Sequence, residues 1–350
     1  MRPRTELTER QKRKRRKAIF RQSLLALAAL LLVAGAILLI SALIRGAKKP
    51  SPPKTDDPPP ASDPAQPTPS GEEPPAGQSA ALGPASDAEP LMEIGEAIQS
   101  ECAILIDADA NVALAVKNAD QTIYPASMTK VMTVLTAAEA IPDLSATFTM
   151  TGAIIDPLYR QGATITGLRA GESVTALDLL YGAALRSAAD AAEGLAALCD
   201  GDTPAFLLRM NSRARELGLS DTTHFSNPSG VFAEDHVTTA RDEAAIMRAA
   251  MENETCVRVL STVKYVTAPT PSEPEGLTFY NKYLDWFAEK QPERNTVTAC
   301  KSGYVWQAKN CIVTYAVGES GRHYICVTAG APTAAAMMKD QRLILSTYGG

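Results

Sequence analysis

The sequence predicts an α/β domain whose sheet is assembled from both ends of the chain. Three patterns predict it: an early pair of β-type runs, a long helical middle, and three late β-type runs closed by a terminal helix. The first 90 residues do not read as globular, so the 350-residue chain has room for one folded domain, placed at 91–350.

The formal charge of −5 hides an asymmetry. Residues 1–23 hold a basic run (Lys12, Arg13, Lys14, Arg15, Arg16, Lys17), and an uncharged apolar stretch, Leu24 to Ile44, follows it. At about 1.5 Å per residue that stretch makes a helix of roughly 30 Å, enough to cross a bilayer core. It is too long for a typical signal-peptide core, and no small-residue cleavage pattern ends it. Residues 24–44 are therefore expected to anchor the protein in the cell membrane as a single span. The excess of Lys and Arg before the span puts the N-terminus in the cytoplasm and the rest outside. Beside such a span a basic run sets orientation, so nucleic acid is not expected as a partner.

Residues 45–90 are rich in Pro, Ser, Ala and acidic residues, a composition that cannot bury a core and reads as a disordered stalk. The six cysteines (Cys102, Cys199, Cys256, Cys300, Cys311, Cys326) lack C-x-x-C spacing, and only three histidines could join them. They are expected to be packed thiols or to form one or two disulfides; no metal and no cofactor is expected.

In the outer domain, Ala103 to Val116 reads as a hairpin turning at Asp107-Ala-Asp-Ala-Asn111. Ser127 to Ala140 and Leu177 to Leu198 have helical spacing, and Thr175-Ala-Leu-Asp178 fits a capping box at the second start. Thr239-Ala-Arg-Asp242 opens a further helix in the same way. Val297 to Val305, Asn310 to Val317 and His323 to Ala329 read as three strands, and Thr333 to Tyr348 as the last helix.

The candidate nucleophile is Ser127 in Pro125-Ala-Ser-Met-Thr-Lys130, at a predicted helix start with Lys130 three residues on, over the same face. A serine hydroxyl needs a base to take its proton, and a lysine kept neutral by burial or by a second cation can be that base. The spacing alone is weak evidence. Ser51-Pro-Pro-Lys54 and Ser261-Thr-Val-Lys264 match it by accident, and a serine at a helix start is more often a plain cap. Lys301-Ser302-Gly303 on a predicted strand adds a cation, a hydroxyl and a residue without a side chain, which would let a substrate backbone approach. Ser-x-x-Lys followed by Lys-Thr-Gly is the signature of penicillin-binding proteins and class A β-lactamases.

Further segments occur in the same order: Leu179-Leu-Tyr-Gly182, Glu216-Leu-Gly-Leu219, His224-Phe-Ser-Asn-Pro-Ser-Gly230, Thr239-Ala-Arg-Asp242 and Lys301-Ser-Gly-Tyr304. With Tyr124 to Lys130, they make the chain from about Glu101 onward resemble the D-alanyl-D-alanine carboxypeptidases, the low-molecular-mass penicillin-binding proteins. The resemblance implies a penicillin-binding protein/β-lactamase-like fold: a five-stranded antiparallel sheet flanked by helices, with a mostly helical subdomain. It implies that Ser127 is the acylated nucleophile, Lys130 its base and Ser187 a proton relay. Lys301 and Ser302 would hold the substrate's terminal carboxylate, and the N–H groups of Ser127 and Tyr304 the oxyanion. The substrate would be the peptidoglycan stem peptide, with β-lactams as inhibitors.

Two positions depart from the family pattern. Ser187-Ala-Ala-Asp-Ala191 has Ala189 where the family has asparagine, and Ser302 replaces threonine. Asp190 is not expected to substitute, because the next residue on a helix points about 100° away. A lost amide hydrogen bond costs on the order of 1 to 3 kcal/mol, about ten- to a hundred-fold in rate. The competing readings are a weakly active stem-peptide binder or scaffold, and a β-lactamase, for which no deacylating Glu can be assigned.

Overall fold

The computed structural model describes residues 83–350. The expected span 24–44 and all but the end of the expected stalk lie outside them, and no described helix is long and apolar enough to cross a membrane.

The strands are β1 (Ser86–Glu93), β2 (Cys102–Asp107), β3 (Val112–Lys117), β8 (Asn295–Val305), β9 (Lys309–Gly318) and β10 (His323–Ala331), in the spatial order β1-β3-β2-β10-β9-β8. Chain start and chain end meet where β2 and β10 pair antiparallel, Leu105 opposite Cys326. The sheet is thus built from both ends. It has six strands where five antiparallel ones were expected, because β1 joins β3 in parallel.

That extra strand takes in Ser86 to Pro90, which composition assigned to the stalk. Its side chains lie mostly exposed or half-buried, so it carries none of the apolar alternation by which a strand is read. Pro90 is tolerated because an edge strand leaves one row of backbone groups unpaired. The Arg241 guanidinium holds the segment down, donating to Ala85 O and Asp87 Oδ1 at 2.9 Å and pairing with Asp120 at 2.6 Å.

The helical middle comprises α1 (Lys130–Ala140), α2 (Gly152–Arg160), α3 (Ala176–Ala184), α4 (Ala189–Asp200), α5 (Thr203–Glu216), α6 (Ala240–Met251) and α7 (Glu254–Leu260). Two short ribbons, β4 (Thr147–Thr149) with β5 (Ser173–Thr175) and β6 (Lys264–Val266) with β7 (Thr278–Tyr280), attach to it. The capping box at Thr175 and Asp178 forms as predicted. At Thr239 only half of one forms: its hydroxyl accepts from Asp242 N, while the Asp242 carboxylate turns to Thr222 and Thr223.

The helix predicted over Leu177 to Leu198 is two helices. The chain breaks between Ala184 and Ala189, with Ser187 at a left-handed φ of 61° and Ala188 N–H donating to Gly182 O at 3.0 Å. Apolar residues on both sides keep a common period, so periodicity cannot show the break. A side chain at Gly182 would meet Ala191 Cβ at 3.0 Å, so the small pair lets the two helices cross at the break.

The central strands are buried on both faces, as alternate residues of β2 show. Ile104 and Ile106 face the larger core under the helical middle. Ala103 and Leu105 face a second core under α8 (Lys282–Glu289) and α9 (Ala334–Tyr348), with Phe287, Met337 and Ile344. All six cysteines are free thiols, and Cys300 lies opposite Thr314 while Cys311 lies opposite Gly303. The disulfides allowed for by an external location do not form in this structure.

Arg241→Ala is expected to destabilise the domain by about 1 to 3 kcal/mol, the range for a partly buried, hydrogen-bonded charge, and to expose β1 to proteolysis. Urea unfolding and limited proteolysis with N-terminal sequencing check this.

Candidate active site

The turn before α1 carries Ser127. Residues Ala126–Thr129 form one 3-10 turn that runs directly into the helix, so Ser127 and Lys130 come onto one side. Lys130 Nζ lies 3.1 Å from Ser127 Oγ and also donates to Ser229 O. Lys130 is 1% exposed. Burial, then the charge of Lys301, pushes its pKa well below the ordinary lysine value, against an opposing pull from Asp190 and Glu193. Both influences bias the amine beside the Ser127 hydroxyl toward its neutral form.

Backbone conformation at this turn is costly. Ala126 has φ 47°, a region that costs a side-chain-bearing residue on the order of 1 to 2 kcal/mol. Two glycines close over it. A Cβ at Gly230, itself at φ 72°, would sit 1.9 Å from Ala126 O. One at Gly303 would sit 2.8 Å from Ser127 N and from Cys311 Sγ. Gly303, expected to admit the substrate backbone, lines the cleft and is also closely approached by the Ser127 backbone.

Ser187 enters from the break between α3 and α4. Its left-handed backbone presents Oγ to Lys301 Nζ at 2.9 Å, and Lys301 also donates to Ser302 O at 2.8 Å. Lys301 is 2% exposed, and burial lowers its pKa to about 8 against the opposing influence of the Cys300 and Cys311 thiols. The predicted residues Ser127, Lys130, Ser187, Lys301, Ser302, Gly303 and Tyr304 all line one cleft of about 700 Å³, and Ala189 lines it too. Asp190 is turned away, accepting from Thr166 N at 2.9 Å and Thr166 Oγ1 at 2.6 Å.

Lys130, Arg186, Lys282 and Lys301 line the cleft, and no described Asp or Glu does. Its walls therefore favour an anion. Phe232, Tyr280, Tyr283 and Trp306 form an aromatic margin that the sequence reading did not single out. It matched His224 to Gly230 to a family segment without giving that loop after α5 a role; there the Asn227 side chain accepts from Ser229 N and Val231 N and donates to Val231 O, shaping the segment that grips Lys130. Asn227-Pro-Ser-Gly230 was the available signal, since such turn residues mark a built loop. Among the described residues no group of three His, Cys, Asp or Glu side chains is placed to hold a metal.

A family model described as D-alanyl-D-alanine carboxypeptidase matches residues 87–333. The chain belongs to the D-alanyl-D-alanine carboxypeptidase family. The D-alanyl-D-alanine carboxypeptidase DacF of Bacillus subtilis is 28% identical over 235 residues, covering 67% of this chain and 58% of that relative. DacA of Escherichia coli is 34% identical over 159 residues, 43% of this chain and 39% of that relative. The matches thus span between about two fifths and three fifths of these relatives' lengths. Among solved structures, a mutant of the Streptomyces K15 DD-transpeptidase superposes with a TM-score of 0.65 at 27% identity, covering 72% of this chain and 98% of that one. The D-alanyl-D-alanine carboxypeptidase of Mycobacterium tuberculosis gives 0.64 at 26%, covering 76% and 95%. Both superpositions show that this chain shares the fold of those two proteins.

Gly230→Ala is expected to displace the turn carrying Ser127 by the better part of an ångström. An error of that size lowers acylation by on the order of a hundred-fold. Labelling with a fluorescent penicillin measures it, and labelling at the unaltered rate would contradict the close packing.

Proposed function

We propose that this chain is a serine-type D-Ala-D-Ala carboxypeptidase that removes the terminal D-alanine of peptidoglycan stem peptides. The observation that carries the proposal is the buried, deprotonation-prone Lys130 amine 3.1 Å from Ser127 Oγ. An amine so placed takes the Ser127 proton as Oγ bonds to the carbonyl carbon of the penultimate D-alanine. The oxyanion is received by the N–H groups of Ser127 and Tyr304. Lys130 returns the proton to the departing nitrogen, with Ser187 as relay, and the C–N bond breaks to release D-alanine. Water then attacks the Ser127 ester, restoring the hydroxyl and releasing the trimmed stem.

Lys301 and Ser302 hold the terminal carboxylate, which accords with Arg186, Lys282 and Lys301 lining the cleft and no described Asp or Glu doing so. β-Lactams would enter as mimics of that terminus and acylate Ser127. In the same reading residues 24–44 anchor the protein by a single span, with the N-terminus in the cytoplasm and the catalytic domain in the wall space. The β-lactamase reading has no support in the cleft. Glu172 is committed to Thr270, Ser272 and Arg169 N, and is not among the lining residues.

A peptide ending in Lys-D-Ala-D-Ala is expected to release D-alanine with the unaltered protein and none above background with Ser127→Ala; equal release from both would refute the mechanism. Ala189→Asn is expected to raise kcat/KM by about ten- to a hundred-fold, the worth of one hydrogen bond in a water-poor cleft. An unchanged rate would show that the cleft does not use an amide there.

The pH dependence follows from the two lysines. Lys130 must be neutral, so activity rises as pH passes upward through its lowered pKa. Lys301 must be charged, so activity falls as pH passes about 8. A steady-state profile of kcat/KM should therefore be bell-shaped with its alkaline limb near pH 8. A profile still flat at pH 10 would exclude Lys301 as the carboxylate's cation.

A further inference from the structure

The turn that carries Ser127 is held from behind by a chain of hydrogen bonds that ends at His236, a residue outside the cleft lining. His236 is 2% exposed, and burial lowers its pKa to about 4, with Asp235 opposing and His224 and Lys130 reinforcing that shift. Its ring is neutral at working pH. Ser226 N–H donates to Nδ1 at 3.0 Å, so Nδ1 holds a lone pair and the ring proton is on Nε2. Nε2 lies 2.7 Å from Thr129 Oγ1, which therefore accepts from it.

A threonine hydroxyl has one proton to give. With Nε2 donating, that proton is committed to Ala126 O, 2.7 Å away. The other tautomer would draw the proton toward the ring and leave Ala126 O without it. Ala126 O and Ser127 N–H belong to one planar peptide unit and point in opposite directions. Anchoring the carbonyl at the back therefore aims the N–H forward, on the side where Gly303 approaches Ser127 N.

We propose that His236 and Thr129 are positioning residues for acylation: the Nε2–H tautomer of His236, acting through the Thr129 hydroxyl, locks the Ala126–Ser127 peptide plane so that Ser127 N–H faces the developing oxyanion. This rests on the acyl-transfer reading above, and it assigns neither residue any contact with substrate. The lock also offsets the cost of the left-handed Ala126, whose carbonyl would otherwise be free to turn.

The test compares Thr129→Val, Thr129→Ser, His236→Leu and His236→Gln with the unaltered protein, all as the full-length chain in detergent. Acylation by a fluorescent penicillin is resolved into a half-saturating concentration and a first-order rate. Removal of an oxyanion donor outright costs about a hundred-fold or more, so a misaimed one should cost about ten-fold. Thr129→Val and His236→Leu are expected to lose about that much in the first-order rate with the half-saturating concentration nearly unchanged. Thr129→Ser, which keeps the hydroxyl, and His236→Gln, which keeps a donor near the Nε2 position, should recover most of it. Nitrogen-15 NMR of the imidazole should show protonated Nε2 and unprotonated Nδ1, a readout independent of activity and of whether Thr129→Val folds. Full-rate acylation of folded Thr129→Val, or an Nδ1–H tautomer, overturns the positioning role and leaves the peptidase reading standing. Failure of the unaltered protein to acylate at all overturns both.

Discussion

Two buried lysines share one cleft, and the rest of the site is arranged around that constraint. Burial disfavours the charge on each, and each charge disfavours the other. Lys301 retains contacts with Ser187 Oγ and Ser302 O and has its pKa lowered to about 8. Lys130 has its pKa lowered well below the ordinary lysine value and stands against Ser127. In the proposed mechanism their different partners separate the roles: Lys130, beside Ser127 Oγ, takes a proton, and Lys301, beside Ser187 Oγ, binds a carboxylate.

The fold supplies the geometry that this division needs. Lys301 is fixed by the ladder of β8 with β9, opposite Val313. Lys130 is fixed by the first turn of α1, whose core side chains Val131, Val134 and Leu135 are fully buried. Between them sits a turn that its own sequence does not favour, with a left-handed alanine pinned by Thr129 and covered by Gly230 and Gly303. The strain is tolerable because elements far apart in sequence, the loop of Ser226 to Gly230 and the strand β8, both close on it.

Much of this was legible in the sequence, and the rest was hidden for physical reasons. The strands of the late meander, β8, β9 and β10, differ from their predicted spans by at most two residues at either end, because β9 and β10 carry dense apolar runs and the turns joining the three are short. Ser127, Lys130, Lys301 and their neighbours converge on one cleft because their motifs are tied to a helix start and a strand. The edge strand β1 stayed hidden because its side chains bury little, and the break at Ser187 because small residues on both sides preserve a helical period. The link from His236 to Thr129 spans 107 residues and joins a loop to a helix start, so no local pattern could reveal it. Disulfides were open because the expected location would permit them; they are absent here because Cys102, Cys256, Cys300, Cys311 and Cys326 are each packed in the cores as single buried thiols.

The most direct test of the whole account is the charge on Lys130 itself. In protein labelled with carbon-13 at the lysine side chains, one resonance should disappear in Lys130→Arg. In the unaltered protein that resonance should titrate well below the ordinary lysine range, at a higher pH when Lys301 is replaced by methionine and one like charge is removed. A Lys130 resonance that titrates like an exposed lysine, or that ignores the loss of Lys301, would contradict the claim that a neutral amine activates Ser127.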